Sequence, residues 1–175
     1  MKKSILLSLL ALAVSVTPTA FASEASNPTQ SSKTKTEETK FSLQFPLTID
    51  QYRVSAEFSE KIDPETKVKT VHNGIDYAAP TGTSIVAADD GVVIVASSLK
   101  GFGQTIVIKH NSELTTLYGH INPGSFLVNV GDTVKKGQKI AEVGSSEATE
   151  NQLHFTLFKQ DEAINSNLYF KQSSK

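Results

Sequence analysis

Gly91-Val92-Val93-Ile94-Val95-Ala96-Ser97-Ser98-Leu99-Lys100-Gly101-Phe102-Gly103-Gln104-Thr105-Ile106-Val107-Ile108-Lys109 decides the fold. Two runs dominated by valine and isoleucine, 91–96 and 105–109, flank a turn with two glycines. β-Branched side chains are stiff at χ1 and suit a pleated surface. The first run is entered through Asp89-Asp90-Gly91, itself a turn signal. The same texture extends in both directions. Thr83–Ala87, Leu114–Tyr118, Phe126–Val130, Lys139–Val143 and Gln152–Phe158 are further candidate strands. No long 3.6-residue period interrupts them, so the expectation is an all-β chain, a compact single domain of antiparallel sheets. A short helix is expected only near Ile121–Gly124 or the C-terminus. Residues 41–171 suffice for one packed β core, and no internal repeat is visible.

The segments before Phe41 have a different character. Met1-Lys2-Lys3 is a basic start, Ile5–Val16 is almost wholly apolar, and Ala20-Phe21-Ala22 offers small residues around a cleavage point. That layout predicts a signal peptide over 1–22. The apolar run falls short of the ~20 residues needed to span a bilayer, so no stable membrane anchor is expected after cleavage. The absence of cysteine rules out lipid attachment at a cysteine near the cut and disulfide staples in the exported product. Ser23–Lys40 is polar with Ala25 its one aliphatic residue, which predicts a disordered linker over 23–40. Residues 172–175 read as a flexible tail. The formal charge of the whole chain is −1, and loss of 1–22 removes two lysines and no acid, leaving −3. No basic patch argues for nucleic acid.

Two segments carry chemistry. His72-Asn73-Gly74-Ile75-Asp76 places a histidine and an aspartate four apart. Gly74, the β-branched Ile75 and the following Ala79-Pro80-Thr81-Gly82 disfavour a helix. A turn into a strand is expected, with the glycine bending the backbone so that the two side chains converge. In Gln152-Leu153-His154-Phe155 the side chains alternate between faces. Gln152 and His154 then look into one site while Leu153 and Phe155 face the core. Two imidazoles and one carboxylate are a common zinc donor set that keeps one position for water.

Residues 41–171 resemble the lysostaphin-like, LytM-type zinc metallopeptidase domains, which cut peptide cross-bridges in bacterial peptidoglycan. His72–Asp76 fits the family's H-x-G-x-D, Tyr118-Gly119-His120 its Y-x-H, and Leu153-His154-Phe155 the end of its H-L-H-F. Gly101–Thr105, Val130–Gln138 and Asn165–Tyr169 fit the framework between and after these motifs. The resemblance implies a barrel-sandwich-like β framework and one Zn2+ ion held by His72, Asp76 and His154. It implies that His120 assists proton transfer. The family's second proton-handling histidine falls on Gln152, which cannot shuttle a proton but can donate a hydrogen bond to a developing oxyanion. The expected activity is that of an exported metalloendopeptidase, periplasmic or secreted, acting on stem peptide or cross-bridge.

The chain departs from the family pattern elsewhere too. Phe58-Ser59-Glu60-Lys61-Ile62-Asp63-Pro64 stands where the family has F-G-x-R-x-x-P, and the loop Gly144–Asn151 is short and acidic. Gln152 motivates a competing expectation, a zinc-binding module that binds wall peptide or activates a partner wall hydrolase. Val130–Gln138 also resembles biotinyl- and lipoyl-carrier domains, but the lysine those domains modify is not in its usual setting. His110 reads as a surface or turn residue. Lys135, Lys136 and Lys139 read as a solvated hairpin face.

Overall fold

A computed structural model describes residues 41–170. The expected signal peptide, linker and tail lie outside the described residues. Twelve strands run in chain order: β1 Arg53–Ala56, β2 Ser59–Ile62, β3 Lys69–His72, β4 Ile75–Ala78, β5 Ser84–Val86, β6 Gly91–Leu99, β7 Gly103–Lys109, β8 Leu114–Gly119, β9 Thr133–Val134, β10 Lys139–Glu142, β11 Gln152–Lys159 and β12 Glu162–Ile164. One 3-10 turn follows at Ser166–Leu168. The main sheet has the order β1-β4-β11-β8-β7-β6-β9, with β12 on β11. β10 pairs with β5 and β2 with β3, and every strand pairing is antiparallel. The all-β expectation is met.

The opening stretch forms the β6–β7 hairpin, running from Val92↔Lys109 to Leu99↔Gly103. Phe102 N–H closes its turn on Leu99 O at 3.0 Å. Val93, Ile106 and Ile108 point into the core, where they meet Tyr118, Ile140, Val143 and the alternate residues Leu153, Phe155 and Leu157 of β11. Burying each such side chain contributes roughly 1.5–3 kcal/mol. The polypeptide before β1 belongs to the same core. Leu43 bridges Phe170 in parallel, and Phe41 stacks on Tyr169 with ring centroids 4.5 Å apart.

Two local expectations change and a third, left between two places, is resolved. Phe126–Val130 is extended but forms no ladder; Leu127 N–H bonds Ile140 O at 2.9 Å, and Val128 alone of the five is fully buried. Its alternation reflects one anchoring side chain, with Leu127 and Val130 left exposed. The strand at Thr83–Ala87 contracts to Ser84–Val86. Of the two helix locations, Ile121–Gly124 is a bridge and turn, and the 3-10 turn lies near the C-terminus.

Candidate metal and peptide site

β4 and β11 lie side by side in the main sheet, and His154 is registered directly against Asp76. Both strands alternate inward and outward. Ile75 and Tyr77 are buried beneath β4, while Asp76 and Ala78 occupy the opposite face. On β11 the core takes Leu153 and Phe155 and leaves Gln152 and His154 on the face shared with Asp76. His72 arrives from the end of β3, just before the turn into β4.

One ligand atom from each of His72, Asp76 and His154 lies within 4.8 Å of the others. Asp76 Oδ1 is 2.6 Å from His154 Nδ1 and 3.4 Å from His72 Nε2. The remaining ring nitrogens are tied. His72 Nδ1–H donates to Glu57 O at 2.8 Å, which leaves the Nε2 lone pair toward Asp76. His154 Nε2 lies 3.0 Å from Thr156 Oγ1. A hydroxyl donates or accepts, so Thr156 serves either tautomer of His154. Without a metal, Nδ1–H donates to Asp76. With Nδ1 freed for a ligand bond, Nε2–H donates to Thr156. Outer partners of this kind orient metal-binding imidazoles. The donor set therefore fits a small divalent ion of zinc character.

Burial pushes the Asp76 carboxyl up. The hydrogen bond from His154 and the charges of His154, His72 and His120 outweigh that push and hold it below its ordinary 3.8. The carboxylate is thus ionised at neutral pH.

Gly74 forms the expected bend into β4, and it has a second role. A β-carbon there would sit 2.6 Å from both His154 Cε1 and Nε2 and 2.8 Å from Phe155 O. The glycine is required because the His154 ring lies over it. Gly119, registered against His154 from the other side, brings Phe102 close, and the Phe102 and His154 ring centroids are 5.2 Å apart.

His120 follows β8 with φ +58°, an uncommon conformation for a side-chain-bearing residue. Three hydrogen bonds hold it there. Its N–H donates to Phe102 O at 2.7 Å, its carbonyl accepts from Gly144 N–H at 3.2 Å, and its Nδ1–H donates to Ser146 O at 2.7 Å. Such strain persists where surrounding structure over-determines it. The ring centroid lies 6.0 Å from that of His154. Ser146 is itself fixed, accepting from Gln104 N–H and donating to Ile121 O through Oγ. Glu147 straps the same loop to Gly101 N–H at 2.8 Å.

These groups line a cleft of about 640 Å³. His72, Asp76, His120, Gln152 and His154 all face it, so the five predicted site residues are brought together. Glu147, Ala148 and Thr149 supply one wall, and Val71 of the β2–β3 hairpin another. Both loops that depart from the family pattern thus flank the cleft or lead into it. Phe102 and Thr156 were not legible as site residues. Phe102 sits in a glycine-rich turn, and Thr156 is a buried strand residue whose signal is its place two after His154.

His110 does not line the cleft. It is half-buried, with Nδ1–H donating to Asp90 O at 2.7 Å and Nε2 2.8 Å from Thr116 Oγ1. The lysine face carries ion pairs, Lys135 with Asp90, Lys136 with Asp89 and Lys139 with Glu142.

Comparison with known proteins identifies relatives of the chain. The chain is 37% identical over 102 residues to the murein hydrolase activator NlpD of Escherichia coli, covering 58% of this chain and 26% of NlpD. It is 32% identical over 117 residues to the peptidoglycan DD-endopeptidase ShyA of Vibrio cholerae, covering 66% of this chain and 27% of ShyA. Among solved structures, a zinc containing peptidase from Vibrio cholerae matches with a TM-score of 0.63 and 33% identity, covering 70% of this chain and 38% of that one. The chain spans about a third of the length of the curated relatives it matches. A match to Peptidase family M23 covers residues 70–166. With the all-β framework and the clustered His72, Asp76 and His154, the conclusion is that this chain belongs to Peptidase family M23.

Proposed function

We propose that the protein is an exported zinc metalloendopeptidase that cleaves peptide bonds of bacterial peptidoglycan, in the stem peptide or the cross-bridge. The observation that carries this reading is the convergence of three metal-binding atoms, with both imidazoles oriented by outer partners, beside an independently anchored His120. His72, Asp76 and His154 would hold one Zn2+. Residues 1–22 act as the signal peptide, 23–40 as a linker, and 41–171 as the enzymatic domain.

A bound zinc ion supplies Lewis-acid activation of a water and of the scissile carbonyl. The chain supplies the rest. His120 Nδ1 is committed to Ser146 O, so its Nε2 is the position that accepts and returns a proton. From that nitrogen the proton passes to the leaving amine. Gln152 cannot take part in proton transfer, and its carboxamide offers a donor to the reacting oxygen. The Phe102 ring packs against one side of His154.

The test is digestion of purified sacculi by the zinc-loaded full chain, followed by chromatography of released muropeptides. Release by the zinc form and none after chelation is expected. No release under conditions where an M23 enzyme with both histidines cuts would overturn the reading. Gln152 and the similarity to NlpD favour one second reading, a zinc-binding module that activates a separate wall hydrolase. In that case the protein stimulates an added hydrolase while cutting nothing alone.

A further inference from the structure

β1 carries an irregularity at a specific place. Val54 is registered against Tyr77 and Ala56 against Asp76, so Ser55 is an extra residue opposite no partner. Bulges of this type bend a strand and re-aim a side chain, and they recur beside active sites. Here the bulge brings Ser55 Oγ to 3.2 Å from Asp76 O and 3.3 Å from Gln152 Oε1. Both Ser55 and Gln152 are half-buried. Ser55 therefore touches the two outer positions of the site, the backbone beside the carboxylate and the residue that replaces a histidine.

We infer that Ser55 is a positioning residue that fixes which end of the Gln152 carboxamide faces the cleft. The inference rests on the reading that Gln152 donates to the reacting oxygen. A carboxamide free to rotate presents its carbonyl as readily as its NH2 group, and a carbonyl facing a developing oxyanion repels it. The single Ser55 hydroxyl hydrogen is shared between Asp76 O at 3.2 Å and Gln152 Oε1 at 3.3 Å, so Oε1 is the end of the carboxamide held against β1, and Nε2 has no hydrogen-bond partner among the described residues. The NH2 end is thereby left for substrate. This assigns a function to a bulge on the rim strand of the sheet, and it makes Gln152 a directed donor. The neutral pair Ser55–Gln152 does not titrate near pH 7, so its contribution is independent of pH, unlike that of a histidine.

The experiment uses the zinc-loaded full chain with Ser55→Ala, Ser55→Thr, Gln152→Ala and the double variant Ser55→Ala/Gln152→Ala. Kinetics on a cross-linked muropeptide are expected to show kcat about tenfold lower for Ser55→Ala with KM unchanged, and recovery in Ser55→Thr. The double variant is expected to be no slower than Gln152→Ala alone, the signature of residues acting as a unit. The second readout does not need turnover. The Gln152 side-chain NH2 resonances, assigned by their loss in Gln152→Glu, shift in Ser55→Ala while zinc affinity stays unchanged. Additive kinetics, a fall in zinc affinity with Ser55→Ala, or unmoved NH2 resonances would each overturn the inference. If the protein cuts nothing, the resonance measurement still decides the positioning claim, separately from the failure of the enzymatic reading.

Discussion

Asp76 and His154 form a directly registered cross-strand pair whose Oδ1 and Nδ1 atoms lie 2.6 Å apart. The candidate metal site is thus built into the hydrogen-bonded register of β4 and β11, with His72 brought to it from the end of β3. A one-residue slip of either strand would send its ligand to the core face.

The first prediction concerns acid stability of the metal-free protein. Asp76 has its folded pKa below the ordinary 3.8. Its stabilising contribution is complete above 3.8 and is lost as pH falls from there through the folded value. Asp76→Asn should therefore flatten the melting temperature against pH at and below that point. Its effect on zinc binding should be loss at all pH values, measured by calorimetry.

Gly74→Ala should abolish zinc binding while leaving a folded β protein. The added methyl collides with the His154 ring and with Phe155 O, both held by the sheet. Zinc content after dialysis checks the first part and far-UV circular dichroism the second. Stoichiometric zinc in Gly74→Ala would show that His154 can move aside.

Thr156→Val keeps the shape of a fully buried side chain and removes the hydroxyl that stabilises His154 Nε2. Loss of such an outer partner typically lowers metal affinity about 10–100-fold. Competition against a chelator of known affinity measures it. Because binding to the folded state stabilises it, the zinc-induced rise in melting temperature should shrink in parallel.

Gly103→Ala should lower turnover far more than zinc affinity. Gly103 has φ +60°, and a β-carbon there would lie 2.2 Å from Ser146 O, the atom that anchors His120 Nδ1. Displacing Ser146 releases His120 without touching a ligand. Equal losses in zinc affinity and turnover would contradict that division of roles.

His110 predicts a second pH dependence, away from the cleft. Burial pushes its pKa below the ordinary 6.5, against the raising influence of the Asp90 carbonyl and the Asp89 and Asp90 charges; Lys136 adds to the lowering. The folded state thus prefers neutral His110. Its contribution is complete above 6.5 and is lost as pH falls through the folded value, because the unfolded chain takes the proton first. Neutral His110 also suits a buried chain of hydrogen bonds, His110 Nε2 with Thr116 Oγ1 and Thr116 Oγ1 with Tyr118 Oη at 3.0 Å. Tyr118 Oη accepts from Ala88 N–H, and burial pushes its phenol up to about 12. His110→Gln should cost about 1 kcal/mol near pH 7.5 and reduce the stability slope below 6.5, both measurable by urea unfolding.

Much of this was legible in the sequence for physical reasons. The β6–β7 hairpin and β11 show themselves because one or both faces are buried, so their apolar residues repeat at strand period. The same alternation placed Gln152 and His154 on one face. β1, β2 and β3 were silent because they are mostly exposed. Lys61, Ile62, Lys69 and Thr70 carry no burial signal. Gly74 was recognised for the bend into β4, while its close contact with the His154 ring was not, since that ring comes from residue 154. Ser55, Thr156 and Ser146 stayed hidden because each acts through a contact set by a bulge, a strand face or a loop.

The most direct measurement is mass spectrometry of a defined cross-linked muropeptide incubated in heavy-oxygen water with the zinc-loaded protein or its His120→Ala variant. Cleavage by the wild type, with one heavy oxygen in the new carboxyl end and near-complete loss in His120→Ala, is the predicted result. An uncut muropeptide with stoichiometric zinc bound would contradict the account.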